Sequence, residues 1–145
     1  FMFIFSGIYS FDPKPIEETE QMMNIDIPVH SEISTLTYSE DSQSDQREHL
    51  HYQSTISFDE ENVLEFEKSI SNDSKWISRI PSQLVGITTA LGNRNADYYI
   101  IYNTETGEFN QLPEKDGTYR FIHILYWCDT NMMEIIDYDM EYQTQ

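Results

Sequence analysis

Three sets of side chains in this sequence have the type and spacing to do chemistry. His49 and His51 stand two apart in an alternating stretch, the spacing at which a strand presents both imidazoles on one face. Such a pair supplies two zinc ligands of the three or four a site needs, and His30, Glu48 and His123 are the candidates for the rest. Asp137, Asp139 and Glu141 alternate with Tyr138 and Met140, so on a strand the three carboxylates line one face. There they repel one another unless a cation or a basic partner sits among them. Cys128 and His123 are a thiol and a base, but five residues apart on one strand they point to opposite faces and cannot meet. Cys128 reads instead as a small, partly buried hydrophobe.

The familiar catalytic and nucleotide-binding patterns are missing. The five glycines, at 7, 86, 92, 107 and 117, are too scattered for a phosphate-cradling loop. There is no Gly-x-Ser-x-Gly elbow, no His-Glu-x-x-His helix and no Cys-x-x-Cys pair. The loop acids Glu40, Asp41 and Asp45 do not follow the spacing of a twelve-residue calcium loop. Asn72-Asp73-Ser74 fits a glycosylation sequon, which matters only in a eukaryotic secretory pathway. No reaction and no cofactor is implied.

Charge narrows the partners. Eight Lys and Arg face 26 Asp and Glu, a formal net charge of −18. Nucleic acid binds by neutralisation of its phosphates, so it is excluded as a partner. Anionic lipid is disfavoured on the same ground, leaving an N-terminal anchor as the one route to a membrane. Cations and basic proteins are what this field attracts. The single cysteine removes any intrachain disulfide.

The elements that must position these residues follow from the hydrophobic period. Phe1–Tyr9 is an uncharged apolar run, readable as the remnant of a leader or anchor (residues 1–11) or as an edge strand. Residues 12–28 combine Pro and acid and read as an extended linker, followed by one domain over 29–142. Within it, Ile33–Tyr38 and His49–Phe58 read as strands. Leu50, Tyr52, Ile56 and Phe58 then share one face, and His49, His51, Gln53, Thr55 and Ser57 the other. A helix is predicted over 60–71, with Asp59 as N-cap, Phe58 stapled to Val63, and Val63, Phe66 and Ile70, with Leu64 beside them, as its apolar stripe. A short second helix is predicted over 83–91. Strands follow at 98–102, 108–110, 118–128 and 132–138, the third apolar on both faces as a central strand must be.

The fold class expected is α+β, a mostly antiparallel sheet of five or six strands with one or two helices packed on one face. The function expected is a non-enzymatic binding module, secreted or membrane-tethered through the N-terminal run. The alternative is an intracellular acidic inhibitor, of the immunity type, that occupies a basic protein. His49, His51, Asp137, Asp139 and Glu141 are the residues expected on the ligand or partner surface.

Overall fold

The computed structural model describes residues 7–10, 14–27, 30–38, 50–88 and 95–144. Its nine elements are β1 (Gly7–Ser10), α1 (Lys14–Met23), β2 (His30–Tyr38), β3 (Leu50–Phe58), α2 (Glu60–Ser71), α3 (Val85–Thr88), β4 (Tyr98–Asn103), β5 (Gly117–Trp127) and β6 (Met132–Tyr142). A single 3₁₀ turn, Ser82–Leu84, leads directly into α3.

The sheet is organised around β5 and β6. Phe121 to Tyr126 are buried on both faces of β5, as the two-sided apolar pattern predicts. A tight turn joins β5 to β6, with Asn131 in the left-handed region (φ 54°), where Asn is better tolerated than most residues. β3 then pairs with β6, and β4 with β5, all antiparallel.

This arrangement corrects the expected sheet of five or six strands with helices on one face. The body is four antiparallel strands in the order β3-β6-β5-β4, with two helices of more than one turn, α1 and α2. Pairing of β2 on β3, and of β1 on β2, prolongs the backbone ladder at one side. The segment 108–110, expected as a strand, makes only an isolated bridge from Phe109 to Tyr102. Asn110 explains why it stops there. Its own N–H donates to Ile101 O (2.7 Å) and its side-chain Oδ1 accepts from Ile101 N (2.9 Å), so one residue closes the outer edge of β4. Ile77 does the same through a bridge to Tyr99.

Both faces of the sheet are covered. On the first, Ile16 and Met23 of α1 and Val63, Phe66 and Ile70 of α2 pack over Tyr52, Ile56, Ile122, Ile124, Tyr126 and Ile135. On the second, Leu84 and Ile87 pack over Tyr99, Ile101, Phe121, Leu125, Ile136 and Tyr138. That second cover departs from the expected placement of helices on one face.

Two local expectations also change. Residues 14–23, read as extended linker, form α1, whose buried Ile16, Thr19 and Met23 recur at helical spacing. Pro15 is tolerated because it falls in the first turn, where its missing N–H has no helical acceptor to lose. Asn24 (φ 53°) ends the helix, and Ile25 and Ile27 then drop into the core. The apolar run at the N-terminus places Gly7–Ser10 in an edge strand. The predicted helix over 60–71 forms as α2, but Leu64 leaves the stripe and is 75% exposed. Its position, about 100° round the helix from Val63, turns it from the sheet. The backbone of Asp59 is extended as an N-cap requires, although its side chain makes no capping bond. Of the predicted helix over 83–91, the described part is the 3₁₀ turn and α3; residues 89–91 lie outside the described residues. Among the described residues no helix is long and apolar enough to cross a membrane.

Three buried tyrosines give the fold an alkaline limit. Burial pushes the Tyr52 hydroxyl up to about 12, helped by the charge of Asp137 and opposed by the Thr19 hydrogen bond. Burial likewise raises Tyr138, and raises Tyr126 with the help of the Glu67 carboxylate that accepts its proton's hydrogen bond (2.7 Å). A group held protonated in the fold contributes fully below its unfolded value of 10 and is lost as pH rises through its folded one. The tyrosines' contribution therefore stays level to pH 10 and falls above it, by about 1.4 kcal/mol per pH unit for each one. Ultraviolet titration of the ten tyrosines checks this, since these three must ionise well above pH 10. Ionisation of all ten near pH 10 in the folded state would contradict it.

Candidate functional site

The acidic row of β6 lies at the end of the sheet where β3, β5 and β6 meet. β6 runs on to Tyr142 rather than stopping at Tyr138, so Asp137, Asp139 and Glu141 do share a strand. The register sets Asp137 opposite Ile122, Asp139 opposite Arg120, and Glu141 opposite Thr118.

Arg120 supplies the cation that the row needs. Its Nε donates to Asp137 Oδ1 (2.8 Å) and its Nη2 to Asp137 Oδ2 (2.6 Å), a two-pronged pair across the diagonal of the β5–β6 ladder. Asp137 is 1% exposed while the arginine side chain is 44% exposed. Asp137 is therefore not on a partner surface, which corrects that expectation: its neighbour on β5 already neutralises it. The hydrogen bonds to Asp137 raise the arginine further above its ordinary value, against the opposing effect of partial burial. A turn holds the arginine's backbone in place. Thr104 N and Thr104 Oγ1 both donate to Arg120 O, and Arg120 N donates to Glu105 Oε2 (3.1 Å).

His51 reaches the same corner through a slip in register. Leu50 pairs with Tyr138 and Tyr52 with Asp137, so His51 is an extra residue in β3. The slip breaks the alternation read from the sequence, sending Leu50 to the second face while Tyr52, Ile56 and Phe58 stay on the first. It also brings His51 Nε2 within 3.0 Å of Asp139 Oδ1. His49 lies outside the described residues, as do Glu48 and the loop acids Glu40, Asp41 and Asp45. Among the described residues no three His, Cys, Asp or Glu side chains gather as a metal site.

The result is a corner with four carboxylates (Glu105, Asp137, Asp139 and Glu141) and one guanidinium. Glu105 and Glu141 are exposed and Asp139 is half-buried. Arg120 and Glu105 are the residues that sequence reasoning missed. The signal for Arg120 was its place on the same face of its strand as Ile122 and Ile124, a lone cation among apolar residues.

Cys128 and His123 stand apart, as their spacing requires. His123 is 3% exposed on the second face, stacked at 6.3 Å on Tyr99, whereas Cys128 packs against the first-face core. Burial pushes the Cys128 thiol up to about 12, reinforced by the Glu67 and Asp97 carboxylates beside it. A thiol held protonated is a poor nucleophile. Alkylation of Cys128 at pH 8 is expected to run more than about tenfold slower in the folded protein than in urea. Equal rates would contradict the environment described.

No protein-family model, no curated protein and no solved structure matches this chain.

Proposed function

We propose that this protein is a non-enzymatic binding domain that docks a basic protein through the exposed acids at the end of β6. The observation that carries the reading is unneutralised charge: −18 overall, with Arg120 already committed to the buried Asp137. Asp139, which also meets His51 Nε2 at 3.0 Å, Glu141 and Glu105 are left as a negative surface at the end of β6, where its pairing with β5 continues. Steering by such a field raises the rate of encounter with a basic surface and disfavours acidic competitors. Pairing with β5 along this stretch lowers the ordering cost of docking.

This is the acidic-inhibitor alternative rather than the secreted module. What supports it over the other is the pairing of Gly7–Ser10 with β2, the edge-strand reading of the N-terminal run.

Affinity capture from extracts of the source cells tests the proposal, with the wild type and the double variant Asp139→Asn/Glu141→Gln as baits. A retained protein of isoelectric point above about 9, released as salt rises and retained less by the variant, is expected. Failure to retain any basic protein, or retention indifferent to both salt and variant, would sink the proposal.

A further inference from the structure

His51 stands at the acidic corner only because of the slip in β3. Regular alternation would turn it to the face opposite Tyr52, away from the carboxylates of β6. A bulge re-aims a side chain in this way. The imidazole's Nε2 lies 3.0 Å from Asp139 Oδ1. That nitrogen is shut off from water and makes no aligned hydrogen bond among the described residues, whereas the side chain as a whole is 42% exposed. A charge on the ring would turn the contact into an ion pair, and the exposed part of the ring gives a proton access.

The charged groups around the imidazole are few. From β6 come Asp137 and Asp139. Arg120 of β5 lies opposite Asp139 in the ladder, but its two-pronged bond is made to Asp137. β2 sets the uncharged Thr37 opposite Tyr52, with Tyr38 next along the chain. From α1, the charge of Glu18 is felt at Tyr52. We infer that His51 is a pH switch on this corner, an inference that rests on the docking proposal: a proton on the imidazole cancels the charge of Asp139 and weakens the hold on a basic partner. An imidazole is the side chain that ordinarily gains its charge between pH 5 and 8, and carboxylates stay ionised through most of that range. At the alkaline end the corner offers a partner Asp139, Glu141 and Glu105; at the acid end Asp139 is taken by His51, and Glu141 and Glu105 remain. The coupling is reciprocal, so a basic group docked beside Asp139 opposes protonation of His51.

Titration of the isotope-labelled full chain with octalysine at low salt tests the switch, read from the amide shifts of Glu105, Thr118 and Glu141 at about pH 8 and about pH 5.5. The wild type is expected to bind roughly threefold more weakly at the lower pH, the worth of one exposed charge pair. His51→Gln should match the wild type at the higher pH and escape that loss at the lower. His51→Lys, with a permanent charge in place, should bind at the higher pH as weakly as the acidified wild type. His30, His49 and His123 stay in all three proteins, so a loss caused by them or by the acids appears in each alike. An equal pH dependence in wild type and His51→Gln would overturn the switch and leave the docking surface standing. Absence of saturable shifts at the corner at the higher pH would overturn both.

Discussion

Arg120→Met is expected to lower the unfolding free energy by about 3 kcal/mol, a large share of the 5–15 kcal/mol typical of such a domain. The cost comes from Asp137 rather than from the arginine. Both carboxylate oxygens of a 1% exposed residue lose their donors at once, while the half-exposed arginine side chain gave up little solvation to be there. That same exposure keeps the figure at the low end of the range for buried pairs. Arg120→Lys should recover only part of the loss, because one ammonium cannot reproduce the planar two-pronged fork. The double variant Arg120→Met/Asp137→Leu should recover most of it, since no charge is then stranded. Urea unfolding at constant m-value measures all three. A single variant as stable as the wild type would contradict the account, and so would a double variant no better than the single.

Phe66→Ala is expected to cost about 3–5 kcal/mol, the range for emptying a well-packed aromatic site. Phe66 sits at the centre of the first-face core. Its ring centroid lies 5.1 Å from that of Tyr126, 5.5 Å from Phe58 and 5.9 Å from Trp76, each contact edge-to-face. These three partners belong to β5, β3 and the chain after α2, so the cavity left behind cannot close by the shift of one element. Leu64→Ala, two residues away on the same helix, should change stability by less than about 0.5 kcal/mol because Leu64 is 75% exposed. Thermal unfolding distinguishes the two variants directly. A loss under about 1 kcal/mol for Phe66→Ala would mean that α2 is not seated as described.

What was legible in the sequence was local, and what was not was relational. The bounds of α2 follow from Asp59, the glutamates of the first turn and the Val63, Phe66, Ile70 period, all within one stretch of chain. The two-sided burial of β5 follows from its unbroken apolar character. The helical spacing of Ile16, Thr19 and Met23 was also present, but Pro13, Pro15 and the surrounding acids suggested a linker. The slip that makes His51 an extra residue has no signal within β3, because it is defined only against β6. Arg120 and Asp137 are 17 residues apart, and their pairing appears only once β5 and β6 are set in register. The self-repulsion of the acidic row was therefore legible on one strand, and the identity of Arg120 as the cation beside Asp137 was not. The cover on the second face was missed for a similar reason, since Leu84 and Ile87 reveal their partners only through the tertiary fold.

The central claim, that the corner formed by the end of β6 docks a basic protein, is tested most directly by mapping contact on the labelled chain itself. Amide shifts would be followed while the basic protein recovered by affinity capture is added at low salt, and again at high salt. The account predicts shifts gathered at Glu105, Thr118, Arg120, Asp139 and Glu141, fading as salt is raised. Shifts confined to α2, or a pattern that salt leaves unchanged, would contradict it.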